Sequence, residues 1–212
     1  MRFKLVAVEG PIGVGKTSLV ERLARRFEAN AILEDTANPF LSDFYSDRAG
    51  SAFQTQLFFL LNRFQQQRAL RQTPLFERFT FCDYLFAKDK IFAFLNLNDS
   101  ELVIYEKLYA LLEEEIRKPD LVVYLHATTD VLLQRIRRRQ REVEQRISTA
   151  YLEEVNRAYN HFFFHYRHSP LLVINTTEID FVERESDFEE LVRQIHSMKP
   201  GIQYFTPLGS AR

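Results

Sequence analysis

The stretch Gly10-Pro-Ile-Gly-Val-Gly-Lys-Thr17 most constrains this chain, because it fits G-x-x-x-x-G-K-[ST] between an apolar run, Phe3-Lys-Leu-Val-Ala-Val8, and a helical pattern. That pattern runs from Ser18 to Phe27 and places Leu19, Leu23 and Phe27 on one face. A strand that ends in such a loop and feeds an amphipathic helix opens a parallel α/β fold. The glycines let backbone N–H groups turn inward round phosphate oxygens, and the helix brings its positive end to them. Lys16 adds a point charge, and the Thr17 hydroxyl can ligate Mg²⁺. Gly10, Pro11, Ile12, Gly13, Val14, Gly15, Lys16, Thr17 and Ser18 are therefore expected to hold a nucleoside triphosphate, the alternative being a purely structural strand-turn-helix.

Further apolar runs suited to buried strands occur at residues 31–33, 74–76, 121–125 and 171–174, with helical patterns between them. With the first run they predict an α/β phosphate-loop kinase fold, a five-stranded parallel sheet covered by helices on both faces. A chain of 212 residues suits one core, read as residues 1–197, and 198–212, with Pro200-Gly201, Pro207 and Gly209, reads as a tail of unknown role. Ligands of such a sheet lie beyond the carboxyl ends of the strands. The informative residues are then those just after each apolar run. A net charge of −1 argues against a general nucleic-acid surface, and no apolar run of about 18 residues suggests a membrane span. The chain opens on a strand rather than a secretion signal, and its lone Cys82 reads as a small buried hydrophobe in a reducing compartment. A cytoplasmic protein with small-molecule partners is expected.

Glu34 follows the second run, where a carboxylate can accept a hydrogen bond from a substrate hydroxyl and draw off its proton. A carboxylate is a poor neighbour for an anionic acceptor, so Glu34 favours a free nucleoside over a nucleoside monophosphate. Glu77-Arg78 follows Pro74-Leu-Phe76. Glu77 can reach Mg²⁺ or the acceptor hydroxyl, and Arg78 can stabilise charge on the transferred phosphoryl group; an ion pair capping a strand is the alternative. Between Ser51 and Leu70, Phe53, Leu57, Leu60, Leu61 and Phe64 form a helical stripe edged by Gln56 and Arg63. Two such polar groups beside an apolar stripe are costly unless partnered. A nucleobase edge would partner them, as Gln reads adenine in DNA, with Asp83 as counter-ion for Arg63, or the trio forms a buried network without ligand. Arg135, Arg139 and Arg141 belong to a run of arginines from 135 to 146 that reads as a lid over the triphosphate, a solvated face or a nucleic-acid strip. His161, His165 and His168 lack the Cys or carboxylate that would complete a metal site.

Together, Gly10 to Ser18, Glu34, Asn38-Pro-Phe-Leu41, Phe44-Tyr45, Gln56 with Arg63, Glu77-Arg78 with Asp83, and the arginine-rich lid resemble the deoxyribonucleoside kinase family, and within it the bacterial deoxyadenosine and deoxyguanosine kinases. The likeness extends to about residue 197. It implies ATP- and Mg²⁺-dependent phosphorylation of a deoxynucleoside 5′-hydroxyl, deoxyadenosine before deoxyguanosine and deoxycytidine. It further implies Glu34 and Glu77 at the hydroxyl and the metal with Arg78 beside both, and Tyr45 and Glu144 on the deoxyribose 3′-hydroxyl. Gln56, Arg63 and Asp83 would lie on the base, Asp180-Phe181 near the adenine of ATP, and the family's habit implies a homodimer packed through helices near residues 50–70 and 100–117. Asp35, Phe79 and the absence of Trp depart from animal members, which leaves base selectivity and the aromatic partners of the base unassigned; Phe40, Phe53 and Phe86 are candidates. Rival readings are a thymidylate-type monophosphate kinase and a non-catalytic nucleotide-binding regulator.

Overall fold

Leu5–Glu9 (β1) is buried at every residue, as a strand covered on both faces must be. It anchors a computed structural model that describes residues 3–46, 48–72, 79–140, 144 and 147–207, with the side chains of 69–72 left aside. The other strands are Asn30–Ile32 (β2), Thr80–Cys82 (β3), Leu121–His126 (β4), Leu171–Asn175 (β5) and Ile202–Phe205 (β6). They form one six-stranded sheet in the order β2-β3-β1-β4-β5-β6, and every pairing is parallel. The chain first fills one side of β1 and then, after β3, crosses to the other. A ligand crevice is expected where that reversal occurs, at the carboxyl end of β1.

The helices are Lys16–Phe27 (α1), Leu41–Tyr45 (α2), Ser51–Gln72 (α3), Asp89–Asn96 (α4), Asp99–Glu113 (α5), Thr129–Arg139 (α6), Thr149–His165 (α7) and Glu185–Ser197 (α8). The period of two along the strands divides the core. Val6 and Val8 point to a cluster with Leu19 and Leu23 of α1, Leu132 and Ile136 of α6, and Leu191 and Ile195 of α8. Ala7, Val122 and Tyr124 point the other way, onto Val155, Tyr159 and Phe163 of α7, where the Tyr124 and Phe163 rings stack at 4.2 Å. Each large apolar side chain buried in this way stabilises the fold by roughly 1.5–3 kcal/mol. No helix among the described residues is long and apolar enough to cross a membrane.

Two expectations change. The third strand forms at Thr80–Cys82, all buried between β2 and β1, whereas residues 74–76 lie outside the described residues. The sheet also has a sixth strand. Gly201, at φ 104°, makes the turn after which Ile202–Phe205 pairs with β5, so four residues of the segment read as a tail form an edge strand. Residues 208–212 lie outside the described residues. Cys82 is free and buried in β3, and burial pushes its thiol pKa up.

Candidate active site

The phosphate loop occupies the carboxyl end of β1. Gly15 caps α1 at φ 102°, and a Cβ there would stand 2.8 Å from Phe181 Cζ. At Gly13, with φ 85°, a Cβ would meet Leu132 O of α6 at 2.9 Å. Only glycine meets both the backbone and the packing demands. Lys16 Nζ folds back to donate to Gly10 O at 2.7 Å and Pro11 O at 3.2 Å, carbonyls that a bound phosphate would replace as its partners. Burial lowers the Lys16 pKa, which Glu9 opposes and Lys88 reinforces.

Beyond the loop opens a cleft of about 640 Å³ lined by Gly13 to Ser18, Arg135, Arg139, Asp180 and Phe181. These residues, expected from the sequence to hold a triphosphate, line one cleft, and several of their side chains are engaged within the protein. Arg135 donates to Thr176 Oγ1 at 3.1 Å, to Thr176 O at 2.8 Å, to Ile179 O at 2.9 Å and, at 3.4 Å, to Val14 O. It fastens α6 to the loop after β5 and to the phosphate loop. Arg139 pairs with Glu144 at 3.5 Å, and Arg138, not singled out from sequence, reaches Glu183 at 3.2 Å and Asp180 at 3.6 Å. Asp180 accepts from the N–H groups of Val182 and Glu183, both at 3.2 Å, while the Phe181 ring is buried on Gly15. Arg141 lies outside the described residues.

Beside the loop lies a dense charge cluster. Glu34 Oε1 accepts from Arg63 Nε at 2.8 Å and Nη2 at 2.6 Å, and Oε2 accepts from Lys88 Nζ at 2.6 Å. Burial alone would raise the Glu34 pKa; Lys88 and Arg63 outweigh it and hold the carboxyl at about 2. Gln56 Nε2 donates to Asp89 Oδ2 at 2.6 Å and Asp89 O at 2.9 Å, and Tyr105 OH donates to Asp89 Oδ2 at 2.9 Å. Arg63 Nη1 pairs with Asp89 Oδ1. Gln56 and Arg63 thus point together, as their seven-residue spacing requires, with the Arg63 guanidinium 5.0 Å from the Phe59 ring centre.

The counter-ion assigned to Arg63 is corrected. Asp83 does not meet Arg63 and is not on a helix; it comes directly after β3, accepting from Thr17 Oγ1 at 2.6 Å and from Glu34 N–H at 2.6 Å. The partners of Arg63 are Asp89 and Glu34. The same shift of β3 removes the ground for placing Glu77 and Arg78 at the site, because the pair precedes the strand; both lie outside the described residues. β3 leads instead into Asp83 and then to Lys88 and Asp89, two residues that the sequence pattern did not single out. Their signal was a Lys-Asp pair set in the apolar run Leu85-Phe-Ala-Lys-Asp-Lys-Ile-Phe92. Glu9 was also missed. It is fully buried, and its carboxylate accepts from Gly10 N–H at 2.8 Å and Leu85 N–H at 3.2 Å.

Tyr45 and Glu144 come close enough to interact: burial first, then Tyr151 and Glu144, push the Tyr45 phenol pKa up. Phe86 stacks on Tyr109 at 5.2 Å in the core and is not free to sandwich a base. Phe40 meets Phe58 edge-on at 6.1 Å. His161 and His165 face each other at 4.5 Å, and no cluster of three metal-ligating side chains exists among the described residues. Mg²⁺ does not need one, since it takes most of its oxygens from phosphate and water. The Thr17 hydroxyl bonded to the Asp83 carboxylate is a hard-oxygen pair at the mouth of the loop, which fits that ion.

A family model described as deoxynucleoside kinase matches residues 6–199. Among curated proteins, the chain is 33% identical over 201 residues to a deoxyguanosine kinase of Bacillus subtilis, covering 91% of this chain and 96% of that one. It is 32% identical to a deoxyadenosine kinase of Dictyostelium discoideum, covering 92% of this chain and 80% of that one. Among solved structures, a deoxyadenosine kinase from M. mycoides with bound dATP superposes with a TM-score of 0.78 at 22% identity, covering 92% of this chain and all of that one.

Proposed function

The chain belongs to the deoxynucleoside kinase family, and from that premise we propose that it moves the γ-phosphoryl group of ATP to the 5′-hydroxyl of a purine deoxynucleoside, deoxyadenosine before deoxyguanosine. That it is a kinase of deoxynucleosides follows from the family; the base and the residue roles are our reading. One observation carries it: Glu34 stands with its backbone bonded to Asp83, the residue that holds Thr17 of the phosphate loop, and its carboxylate on Arg63, the residue that meets Asp89 and neighbours Gln56. Donor loop, base and acceptor pocket are one connected unit. An ionised carboxylate at the acceptor can take the proton of a free hydroxyl.

In this reading the 5′-hydroxyl gives its proton to Glu34 as its oxygen attacks phosphorus. Lys16, with Arg139 and Arg141 of the lid, balances charge on the phosphates. Thr17 and Asp83 would hold Mg²⁺, which would supply positive charge to the triphosphate. Tyr45 and Glu144 take the deoxyribose 3′-hydroxyl. The Gln56 amide, tied at Nε2 by Asp89, offers its oxygen to an exocyclic amine such as adenine N6. Relatives named for deoxyguanosine and deoxyadenosine support a purine. A homodimer in the cytosol is the matching assembly, supported by the apolar residues that α3 and α5 leave exposed, such as Leu61, Ile104 and Leu111. The test is turnover with ATP and Mg²⁺ of the four deoxynucleosides and their monophosphates. Deoxyadenosine is expected to react fastest; turnover of monophosphates alone would overturn the reading.

A further inference from the structure

Lys88 is held in a way its resting contacts do not complete. It closes the 3₁₀ turn Phe86–Lys88, which is fixed at its start because Leu85 N–H donates to Glu9 Oε1 at 3.2 Å and Lys88 N–H donates to Leu85 O at 3.0 Å. Its side chain is only 4% exposed. An ammonium has three N–H donors. Among the described residues, Nζ makes one hydrogen bond, to Glu34 Oε2 at 2.6 Å, and one looser ion pair, to Glu9 Oε1 at 3.6 Å. At least one buried donor therefore lacks a close acceptor, an arrangement that costs stability until a ligand supplies one. Lys88 also lies within electrostatic reach of Lys16 on the phosphate loop. One donor of the Lys88 ammonium is thus open beside Glu34, within electrostatic reach of the phosphate loop, and a phosphate oxygen is an acceptor that a bound triphosphate would bring.

We propose that Lys88 is a catalytic cation: with both substrates bound, its Nζ leaves Glu34 Oε2 for a non-bridging oxygen of the γ-phosphoryl group in transfer. This rests on the kinase reading above. The 5′-oxygen forms its bond to γ-phosphorus as the bond from that phosphorus to the β,γ-bridging oxygen breaks, and the electron pair leaves with ADP. The hydroxyl proton passes to Glu34 at the oxygen Lys88 has vacated. Lys88 keeps its own charge throughout. A flexible four-carbon stem allows so short a move, and a buried cation aimed at developing charge acts most strongly in the transition state. At rest the same ammonium neutralises Glu34, so the base is shielded until the triphosphate arrives.

The experiment compares wild type, Lys88→Met and Lys88→Arg. Lys88→Met is expected to lower kcat about 100- to 1000-fold with KM for ATP and deoxyadenosine changed less than about threefold, as for a lost transition-state donor. Lys88→Arg is expected to recover at least about tenfold of that loss, since the cation is restored. ADP with aluminium fluoride and deoxyadenosine is expected to bind Lys88→Met about 100-fold more weakly than wild type, while ADP alone binds both equally. A kcat within about threefold of wild type, or equal losses in ADP and aluminium fluoride binding, overturns the proposal. Should Lys88→Met fail to fold, Lys88→Gln, which can still donate to Glu34, takes the same measurements. A wild type that turns over no free deoxynucleoside fails the kinase reading instead.

Discussion

Glu34 sits under two cations, and its acid behaviour follows from that. A carboxyl held at about pKa 2 against an ordinary 4.5 adds stability that is complete above about pH 4.5 and drains as the pH falls toward 2. Urea melts of the free protein should therefore lose stability across that window, and Glu34→Gln should lose less there because it has no such carboxylate to protonate. At pH 7 the same variant is expected to cost about 3–5 kcal/mol, since it leaves Lys88 and Arg63 buried with a neutral partner. Its kcat should fall by about 100- to 10,000-fold if Glu34 takes the hydroxyl proton. Gln56→Ala should raise KM for deoxyadenosine far more than KM for ATP; equal effects would remove Gln56 from the base. At this scale the sequence spoke unevenly. Glu34, Gln56 and Arg63 were legible because a strand end and a seven-residue helical spacing fix where they point. Asp83 and Asp89 were not told apart, because each is an acid in the same short stretch and only the end of β3 shows which of them faces the phosphate loop.

At the scale of elements, α3 departs from the amphipathic rule. Among the described side chains its buried residues are Ser51, Thr55, Gln56, Leu60, Arg63 and Gln67, while Leu61 is 48% exposed. The helix turns a largely polar face inward because Asp89, Glu34 and the rest of the charge cluster satisfy it there. The stripe Phe53, Leu57, Leu60, Leu61 and Phe64 is divided: Leu60 is buried with Phe64 packed against its cluster, while Leu61 is exposed, because a period marks a face without saying how much of it meets the core. The contrast is measurable. Leu60→Ala should cost about 2–5 kcal/mol in chemical denaturation, whereas Leu61→Ala should cost under about 0.5 kcal/mol in the isolated protomer. β1, β4 and β5 were readable as unbroken apolar runs, the mark of strands buried on both faces. β3 was masked by its length: three residues give too little pattern to compete with the Leu-Phe after Pro74. β6 was masked by the Pro200-Gly201 turn before it, which reads equally as the start of a tail.

For the whole molecule, the outward side of α3, α4 and α5 carries Leu61, Phe94, Val103, Ile104, Leu108 and Leu111, each more than a third exposed. So many large apolar side chains exposed on three helices that pack together suit an isologous contact. Sedimentation at micromolar concentration should give a dimer, and Ile104→Lys with Leu111→Lys should give a folded monomer with unchanged far-ultraviolet circular dichroism. A wild type that sediments as a monomer would refute the assembly. α5 also supplies Tyr105 to Asp89, so the same helix that carries exposed apolar residues reaches the charge cluster beside the phosphate loop. A different coupling is built on the donor side. Phe181, from the loop read as the neighbour of the ATP base, rests its ring on Gly15, the residue that caps α1 in the phosphate loop. On the proposed reading, base and triphosphate would be gripped by parts that lean on one another, so that a change at one would be felt at the other. An attempt to make this kinase accept a different donor base by reshaping residues 180–182 should show up first as weakened hold on pyrophosphate, and useful variants should need a second change in the loop.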